Sequence, residues 1–420
     1  MHRAGCSRQA PQRPRFELGD LIREHGDALR AQHPVTPEQA KILRALANCR
    51  TAALGGHVDR CQDCGYERPA YNSCRNRHCP KCQALDAARW LAARMETLLP
   101  VPYFHVVFTL PGQLAPIVLR NRCRLFGLLF RAASETLLTL GHDPDRLGAQ
   151  IGATMVLHTW TRDLRFHPHV HAVVTGGGLS TDGQRWVAAD PAYLFPVRVL
   201  SRLFRGKMLA LIRQEHERDA LELPDELLPA HAWSALLSRL YDTEWVTYAK
   251  APFAGPEQVL AYLGRYTHRV ALSNHRLLEV THESVTLRTR GQDAATMAPV
   301  ELLRRFLLHL LPRGFVRIRH YGLLAASHLA TRLPAARRLL GDSAGRHSGD
   351  NSADLQATAA PDPPPASQRP AGATTDWRTL FSALTGIDTS RCPACRSAAW
   401  VRRPLATAPT TRAPPERAAA

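Results

Sequence analysis

A short block of cysteines sets the strongest constraint on how this chain can fold. Residues 57–83 hold five of the ten cysteines and almost no aliphatic side chains, so the block cannot build an apolar core of its own. Two C-x-x-C pairs stand in it, Cys61/Cys64 and Cys79/Cys82, with fourteen residues between them. One tight turn presents two thiolates to an ion, and two such turns complete the tetrahedron that Zn²⁺ prefers. The spacing therefore predicts one structural zinc site formed by these four cysteines.

Other residues leave the ligand set of this block open. Cys74, His78 and His57 are also of ligand type, so a mixed cysteine and histidine site, or a second ion, is an alternative. Near the other end of the chain, Cys392 and Cys395 form a third C-x-x-C pair for which the sequence offers no second half. We expect this pair to be vestigial or unbound unless a partner chain or a lost segment supplies two further ligands.

The charge balance favours a phosphate-rich partner. Lysine and arginine number 54 against 36 aspartates and glutamates, which gives a net charge of +18 at pH 7. Such an excess attracts nucleic acid, and the guanidinium of arginine matches phosphate geometry well. Arg75, Arg77 and Lys81 lie among the cysteines of the block, so we predict that they contact DNA.

Composition also argues against export and against membrane insertion. The longest stretch without a charged residue, residues 97–119, contains four prolines, too many for a membrane-spanning helix. The first fifteen residues are polar and rich in arginine, unlike a secretory signal. We therefore expect a cytoplasmic protein whose cysteines bind metal rather than form disulfides.

Strand-like and helical segments are mixed along the chain without regular alternation. Residues 103–110, 153–160 and 168–175 are short runs typical of strands, whereas residues 116–140 and 197–240 are predicted to be mainly helical. A short polar segment joins the second and third runs, which predicts an antiparallel hairpin. The pattern as a whole predicts an α+β fold.

Three regions are predicted along the chain. Residues 16–100 are expected to form an N-terminal helical and zinc-binding domain, and residues 101–330 the main core. Residues 341–374 contain Leu355 as their only large aliphatic side chain, together with five prolines between 361 and 370. We therefore expect residues 341–420 to be a mostly disordered linker and tail that keeps only a C-x-x-C remnant.

A histidine-rich strand is the most informative segment for chemistry. Residues i and i+2 of a strand point to one face, so His169 and His171 converge while their neighbours face the opposite, packed side. Two imidazoles at this spacing hold a divalent ion and leave much of its coordination sphere open. A third ligand comes from His158, His105 or His167, and His158 is our preference. The alternative is that these histidines are hydrogen-bonded spacers within the sheet.

Two tyrosines stand four residues apart in a predicted helix. Tyr262 and Tyr266 share one helix face, so they are either an aromatic packing stripe or a pair of nucleophiles. A phenoxide that attacks a phosphodiester forms a covalent phosphotyrosine and frees a 3′-hydroxyl, which conserves bond energy for rejoining. Because the ordinary pKa of tyrosine is near 10, such a step needs nearby cations, and Arg265, His268 and Arg269 are candidates.

These motifs resemble those of a known family. The histidine pair is similar to the His-hydrophobic-His motif of the HUH endonucleases, and the tyrosine pair to their two-tyrosine class. The flanking segments are more specific: residues 71–83 (YNSCRNRHCPKCQ), 105–111 (HVVFTLP), 262–269 (YLGRYTHR) and 305–312 (RFLLHLLP). Together they resemble the rolling-circle transposases of the insertion-sequence-ninety-one family, over about residues 16–328.

The resemblance implies a fold and a set of roles. It implies an N-terminal zinc domain followed by an HUH-type nuclease core on an antiparallel sheet. Tyr262 and Tyr266 would be the catalytic nucleophiles, and His169 and His171 would hold Mg²⁺ or Mn²⁺, with the third ligand left open as above. The substrate would be single-stranded DNA at the element ends and target, cleaved through a 5′-phosphotyrosine link. Arg265 and Arg269, beside the tyrosines, are predicted to bind that DNA.

One segment departs from the family pattern. Where an aromatic-basic-Asp-Tyr stretch is expected, residues 288–294 read RTRGQDA, which alters a substrate-contacting loop but none of the proposed catalytic residues. Two alternative functions therefore accompany the main hypothesis. One is a plasmid replication initiator or relaxase with the same chemistry. The other is a zinc-dependent DNA-binding protein that is inactive or was never catalytic, for which binding without cleavage is expected.

Overall fold

The structure, a computed structural model, describes residues 14–253, 264, 271–346, 382 and 388–408. The helices in these ranges are α1 (Leu18–Gln32), α2 (Pro37–Ala47), α3 (Ala84–Met95), α4 (Ala115–Arg120), α5 (Arg122–His142), α6 (Val197–Glu217), α7 (Ala230–Asp242), α8 (Pro299–Leu308) and α9 (Arg332–Arg346). The strands are β1 (Gly56–Cys61), β2 (Glu67–Tyr71), β3 (Tyr103–Thr109), β4 (Ala149–Trp160), β5 (Phe166–Ser180), β6 (Trp186–Ala188), β7 (Thr247–Phe253), β8 (Leu277–Val280), β9 (Val285–Arg288), β10 (Ala294–Met297), β11 (Ile318–Gly322) and β12 (Trp400–Leu405). None of these helices is long and apolar enough to cross a membrane.

The main sheet is antiparallel and is built around the long hairpin β4–β5. Its strand order is β11-β4-β5-β3-β7, and β6 pairs with the end of β5. The pairing of β4 with β5 confirms the predicted hairpin. Side chains alternate between the two faces of these strands, so Leu157, Val170 and Ala172 are buried on one face. The mixed helices and antiparallel sheets confirm the α+β class.

One face of this sheet is covered by α5 and α6, which form the largest apolar core. Phe130 and Leu137 of α5 are fully buried, and Phe108 of β3 packs against Phe204 of α6 with ring centroids 4.9 Å apart. Burial of each such side chain contributes about 1.5–3 kcal/mol. The core therefore fixes β3, β4 and β5 from one side, and the opposite face carries the histidines.

A second core joins the beginning of the chain to its later part. Apolar side chains of α1 and α2 pack with α8 and with the small sheet β10-β9-β8. Even the start of α1 depends on this contact, because the backbone N–H of Leu18 donates to Asn274 Oδ1 at 3.1 Å. The predicted division at residue 100 thus crosses a shared core. The reason is that the cysteine block offers α1 and α2 no aliphatic surface to pack on.

A third sheet brings the two ends of the chain together. Its order is β12-β1-β2, so residues near the C-terminus form an edge strand beside the cysteine block. Within the predicted tail, residues 388–408 therefore include a paired strand and the C-x-x-C pair. Composition did not reveal this segment because strand pairing and polar contacts, rather than apolar burial, hold it in place.

Candidate metal centres

Three histidines converge on the face of the β4–β5 hairpin opposite the main core. His158 and His169 are directly paired across the two strands, and His171 follows His169 on the same face. Ligand nitrogens of the three rings lie within 4.8 Å of one another. The structure therefore brings together the two histidines of the H-x-H motif and the preferred third candidate. The cluster is firmly held, because Val170, between the pair, is buried in the core behind it.

The other two candidate ligands lie beside the cluster. His105 Nε2 is 2.9 Å from His171 Nδ1, and the two rings are stacked with centroids 5.2 Å apart. The backbone carbonyl of His167 lies 2.6 Å from His169 Nδ1. This last contact requires the proton of the neutral His169 ring on Nδ1, which leaves the lone pair on Nε2. His105 and His167 thus contact two members of the cluster but are not part of it.

Burial favours the neutral form of His105, His169 and His171. It lowers the pKa of His169 to about 4 and the pKa of His105 to about 4. Burial and the neighbouring imidazoles, His158 first, lower the pKa of His171 far below its ordinary value. Neutral imidazole is the form that binds a metal ion. At neutral pH His169 and His171 are therefore ligands that need not lose a proton first.

The predicted nucleophiles Tyr262 and Tyr266, together with Arg265 and Arg269, lie outside the described residues. Gly264, between the two tyrosines, is described, and a Cβ placed on it would lie 3.5 Å from Leu91 Cδ2 of α3. This residue is therefore close to the helix that follows the cysteine block.

Helix α3 also contacts the main sheet. Arg94 Nη1 lies 3.3 Å from His320 Nε2 on β11, and the other ring nitrogen of His320 lies 3.0 Å from Thr154 Oγ1 on β4. The cysteine block is thereby linked through α3 to the strand that carries His158.

The first cysteine cluster is not the predicted one. It consists of Cys49, Cys74, Cys79 and Cys82, whose sulfurs lie within 4.8 Å of one another. The Cys49–Cys82 sulfur distance is 3.2 Å and the Cys49–Cys79 distance is 3.5 Å. The predicted grouping with Cys61 is wrong because the end of α2 supplies Cys49. Cys49 and Cys79 are also buried against the second core, so this cluster joins the block to the packed helices.

A second cluster joins the two remaining cysteines of the block to the C-terminal pair. Cys61 and Cys64 lie with Cys392 and Cys395, all four sulfurs within 4.8 Å of one another. The prediction that the C-terminal pair lacks a second half is therefore wrong. Backbone N–H groups, that of Cys64 first, lower the pKa of Cys61 to about 7, which favours the metal-binding thiolate.

The other proposed ligands of the block have structural roles. His78 Nε2 accepts a hydrogen bond from the backbone N–H of Leu311 at 3.1 Å, and its ring also contacts Asn76. His57 lies 3.8 Å from the carboxylate of Asp59. Among the described residues, neither histidine belongs to a group that could hold a metal ion. Both sites are therefore four-cysteine sites, which leave no open position for catalysis.

Sequence reasoning overlooked Cys49 as a ligand. It stands alone, 25 residues before Cys74, without the C-x-x-C spacing that identifies a metal knuckle. The only signal was the count, since two tetrahedral sites need eight of the ten cysteines.

Of the three basic residues predicted among the cysteines to bind DNA, two make internal contacts. Lys81 Nζ lies 2.8 Å from Glu17 Oε2 and 2.6 Å from the carbonyl of Cys49, and its side chain is only 12% exposed. Arg77 donates to the carbonyl of Phe315 at 2.9 Å. Lys81 therefore bonds to the segment that carries Cys49, whereas Arg75 and Arg77 are both exposed.

Comparison with known proteins places these features in a family context. A family model described as "Transposase zinc-binding domain" matches residues 21–110, and one described as "Putative transposase" matches residues 152–331. The first contains Cys49, and the second contains the three clustered histidines. Cys392 and Cys395 lie outside both. The chain therefore has a zinc-binding domain and a transposase domain, and the cysteine clusters supply the ligands that zinc requires.

Two relatives match across most of the chain. The protein described as "Putative transposase y4qJ" of Sinorhizobium fredii is 45% identical over 389 residues, which is 90% of this chain and 92% of the relative. The "Transposase for insertion sequence element IS801" of Pseudomonas savastanoi pv. phaseolicola is 29% identical over 310 residues, or 69% of this chain and 70% of the relative. No solved structure matches the chain significantly.

Proposed function

Since the chain belongs to the transposases of the insertion-sequence-ninety-one family, we propose that it cleaves and rejoins single-stranded DNA at the ends of its element through tyrosine nucleophiles. The observation that carries this proposal is the cluster of His158, His169 and His171 on one face of the sheet. Imidazole nitrogens within 4.8 Å of one another suit a divalent ion that must also bind a phosphodiester.

The donor set fits a divalent ion that accepts nitrogen ligands. Three imidazoles suit Mn²⁺ better than Mg²⁺, because Mg²⁺ favours oxygen ligands and gives up its water reluctantly. We propose that His158, His169 and His171 hold this ion. When bound, it would polarise a phosphate oxygen as a Lewis acid. The His167 carbonyl keeps the His169 ring in one tautomer, so its Nε2 faces outward as a ligand.

The nucleophiles in this proposal are Tyr262 and Tyr266. A phenolate oxygen forms a bond to phosphorus while the bond from phosphorus to the 3′-oxygen breaks, and that oxygen leaves as a 3′-hydroxyl after taking up a proton. A 3′-hydroxyl of another strand then reverses the step at the phosphotyrosine. Arg265 and Arg269 are proposed to favour the phenolate and to bind the DNA backbone. The support for these four residues is their match to the family motif at 262–269.

The experiment uses the purified full chain and labelled single-stranded DNA that spans the ends of its own element. With Mn²⁺, denaturing electrophoresis should show protein covalently joined to the 5′ end created by the cut, and EDTA should remove that band. Each of Tyr262→Phe and Tyr266→Phe should preserve DNA binding and impair one strand-transfer step, and the double variant should form no adduct. Tyr193→Phe, an exposed tyrosine on another segment, is the matched control.

His169→Ala should abolish the adduct with any divalent ion, whereas His231→Ala, an exposed histidine on α7, should not. An adduct that survives loss of both tyrosines would contradict the nucleophile assignment. DNA binding without any adduct, with correct ends and bound zinc, would instead support the inactive, DNA-binding alternative. Cleavage at a plasmid origin but not at element ends would support the replication initiator or relaxase.

A further inference from the structure

We propose that Cys61, Cys64, Cys392 and Cys395 bind a second Zn²⁺ ion that fastens the C-terminal segment 388–405 onto the hairpin β1–β2. The Cys61–Cys395 sulfur distance is 3.5 Å and the Cys64–Cys392 distance is 3.6 Å, so each pair faces the other across the site. Sulfurs bound to one zinc ion at about 2.3 Å lie about 3.8 Å apart, close to these separations.

The Cys61/Cys64 turn and the Cys392/Cys395 turn have the same backbone shape. In the first turn, the N–H of Gly65 donates to the carbonyl of Cys61 at 3.1 Å. In the second turn, the N–H of Arg396 donates to the carbonyl of Cys392 at 2.9 Å. Gly65 and Arg396 each have a positive φ, 74° and 64°. Glycine adopts this conformation readily, but an arginine does so only where the surrounding structure imposes it.

The two turns also close in the same way. The N–H of Cys61 donates to the carbonyl of Tyr66 at 2.9 Å, and the N–H of Cys392 donates to the carbonyl of Ser397 at 2.7 Å. Two such turns that face each other are the usual architecture of a four-cysteine zinc site. The C-terminal pair thus has the local geometry of a working metal knuckle rather than of a remnant.

Contacts away from the sulfurs bring the halves together independently. β12 pairs with β1 in a register that places Trp400 opposite Cys61. Asp59, buried on β1, accepts hydrogen bonds from Arg68 of β2 and from Arg402 of β12, the latter at 2.7 Å. The Arg68 guanidinium also lies 4.8 Å from the Trp400 ring centroid. Three strands thus meet on one carboxylate, which fixes the position of the C-terminal knuckle.

The second site is separate from the first. The first cluster draws on four other cysteines, so both sites are complete with four thiolates each. The family zinc-binding model ends at residue 110 and therefore contains only half of the second site. We infer two zinc ions per chain, the second of which couples the folding of residues 388–408 to that of the N-terminal hairpin.

Zinc content of the purified full chain, measured by mass spectrometry of the metal, tests the stoichiometry. Wild-type protein should carry two zinc ions per chain, and the double variant Cys392→Ser/Cys395→Ser should carry one. Cys123→Ser is the matched control, because Cys123 is exposed and outside both clusters, and it should still carry two. One zinc ion in the wild type, or two in the double variant, would overturn the proposal.

A second measurement needs no variant and so does not depend on how a variant folds. Cys64 and Cys395 are exposed, so an alkylating reagent can reach them, and a bond to metal would slow their reaction when a phosphine reductant keeps disulfides open. In zinc-loaded protein both should react at least about tenfold more slowly than exposed Cys123, and removal of zinc by a chelator should make the rates similar. Rapid alkylation of Cys395 in the zinc-loaded protein would contradict the site.

Discussion

The histidine cluster and the cysteine clusters are built in opposite ways. His158, His169 and His171 lie on one hairpin, within fourteen residues of chain, and a packed core holds that hairpin from behind. The cysteine clusters instead join segments that are distant in sequence, up to 334 residues apart between Cys61 and Cys395. The first arrangement gives a rigid face on which chemistry can occur. The second connects parts of the chain that have little apolar surface of their own.

Because of this difference, substitutions of the histidines and of the cysteines should have different effects. Loss of a histidine should remove activity and leave the fold intact, because apolar packing holds the hairpin. Loss of a cysteine should remove a connection between segments, because the cysteine block has almost no apolar packing of its own to replace it. Three substitutions test this contrast, beginning with the largest expected effect.

Cys49→Ser should remove one zinc ion and unfold the cysteine block. A structural zinc ion contributes on the order of 10 kcal/mol to the apparent folding free energy of small zinc domains. Cys49 is also buried where α2 meets the second core, so a serine there leaves a buried hydroxyl in place of a metal bond. Zinc content and thermal unfolding measure both effects.

The control is again Cys123→Ser, which should change neither quantity. The result also decides between two groupings of the cysteines. If Cys61, Cys64, Cys79 and Cys82 shared one ion, Cys49 would be a spare side chain and its substitution would leave zinc content unchanged. That outcome would contradict the four-cysteine cluster around Cys49.

The same contrast explains how far the sequence could predict each site. Strand alternation is a local rule, so His169 and His171 followed from their spacing and His158 from the hairpin. The cysteine grouping depends on which C-x-x-C pairs come together in the folded chain, and the spacing within each pair carries no information about that. Cys79 and Cys82 were predicted from their spacing and do lie in one cysteine cluster, but their partner Cys49 carries no motif. The spacing of Cys392 and Cys395 identified them as a pair, but nothing in the sequence indicated that Cys61 and Cys64 are their partners.

The fold shows the same limit. The strands and most helices of the main core follow from their hydrophobic patterns, because each buries its own apolar face. The packing of α1 and α2 against α8 could not be predicted, since it links segments some 250 residues apart. The pairing of β12 with β1 depends on Asp59 and its two arginines, which look like ordinary surface charges in the sequence.

His105→Ala should have the next largest effect, on activity rather than on folding. His105 touches His171 beside the metal cluster, and groups that orient a metal ligand typically contribute about 10–100-fold to metal affinity or activity. We therefore expect adduct formation to need a higher Mn²⁺ concentration and to recover at saturation. A Mn²⁺ titration of the cleavage assay measures this, with His231→Ala on α7 as control.

His105→Asn refines the test, because asparagine keeps a hydrogen-bonding group near His171. Its Mn²⁺ requirement should lie between those of the wild type and His105→Ala. A variant that lost activity at every Mn²⁺ concentration while folding normally would show that His105 does more than orient His171. Equal activity of wild type and His105→Ala at low Mn²⁺ would contradict the orienting role.

The β4–β5 hairpin also depends on contacts with helix α8, so the difference between the histidine cluster and the cysteine clusters is not complete. Leu164, in the turn between β4 and β5, has a positive φ of 64° and is fully buried. Helix α8 and the residue after it hold this turn, because Arg305 donates to the carbonyl of Asp163 at 2.9 Å and His309 Nε2 lies 3.0 Å from the carbonyl of Leu164. Glu301 in turn bonds Arg305 at 2.7 Å, so one carboxylate steadies the turn indirectly.

Glu301→Gln should therefore have the smallest effect, and a pH-dependent one. Hydrogen bonds from Arg304, and then from Arg305, lower the pKa of Glu301 to about 2 despite partial burial. A carboxylate with a lowered pKa stabilises the folded state above its ordinary pKa, and this contribution disappears as pH falls through the folded value. Because Glu301 is 31% exposed, solvent screening limits the loss to about 0.5–1 kcal/mol at pH 7.

Chemical unfolding of Glu301→Gln and wild type at each pH gives the difference between their free energies of unfolding. Any loss of zinc at low pH affects both proteins equally and cancels in this difference. The difference should be constant from pH 7 to about 5.5, then shrink as the pH falls below the ordinary value of 4.5 toward 2. Glu283→Gln, an exposed glutamate in a turn, should show no such trend. A difference of several kcal/mol would mean that the histidine hairpin depends on α8 much as the cysteine block depends on zinc, and the contrast between the two regions would fail.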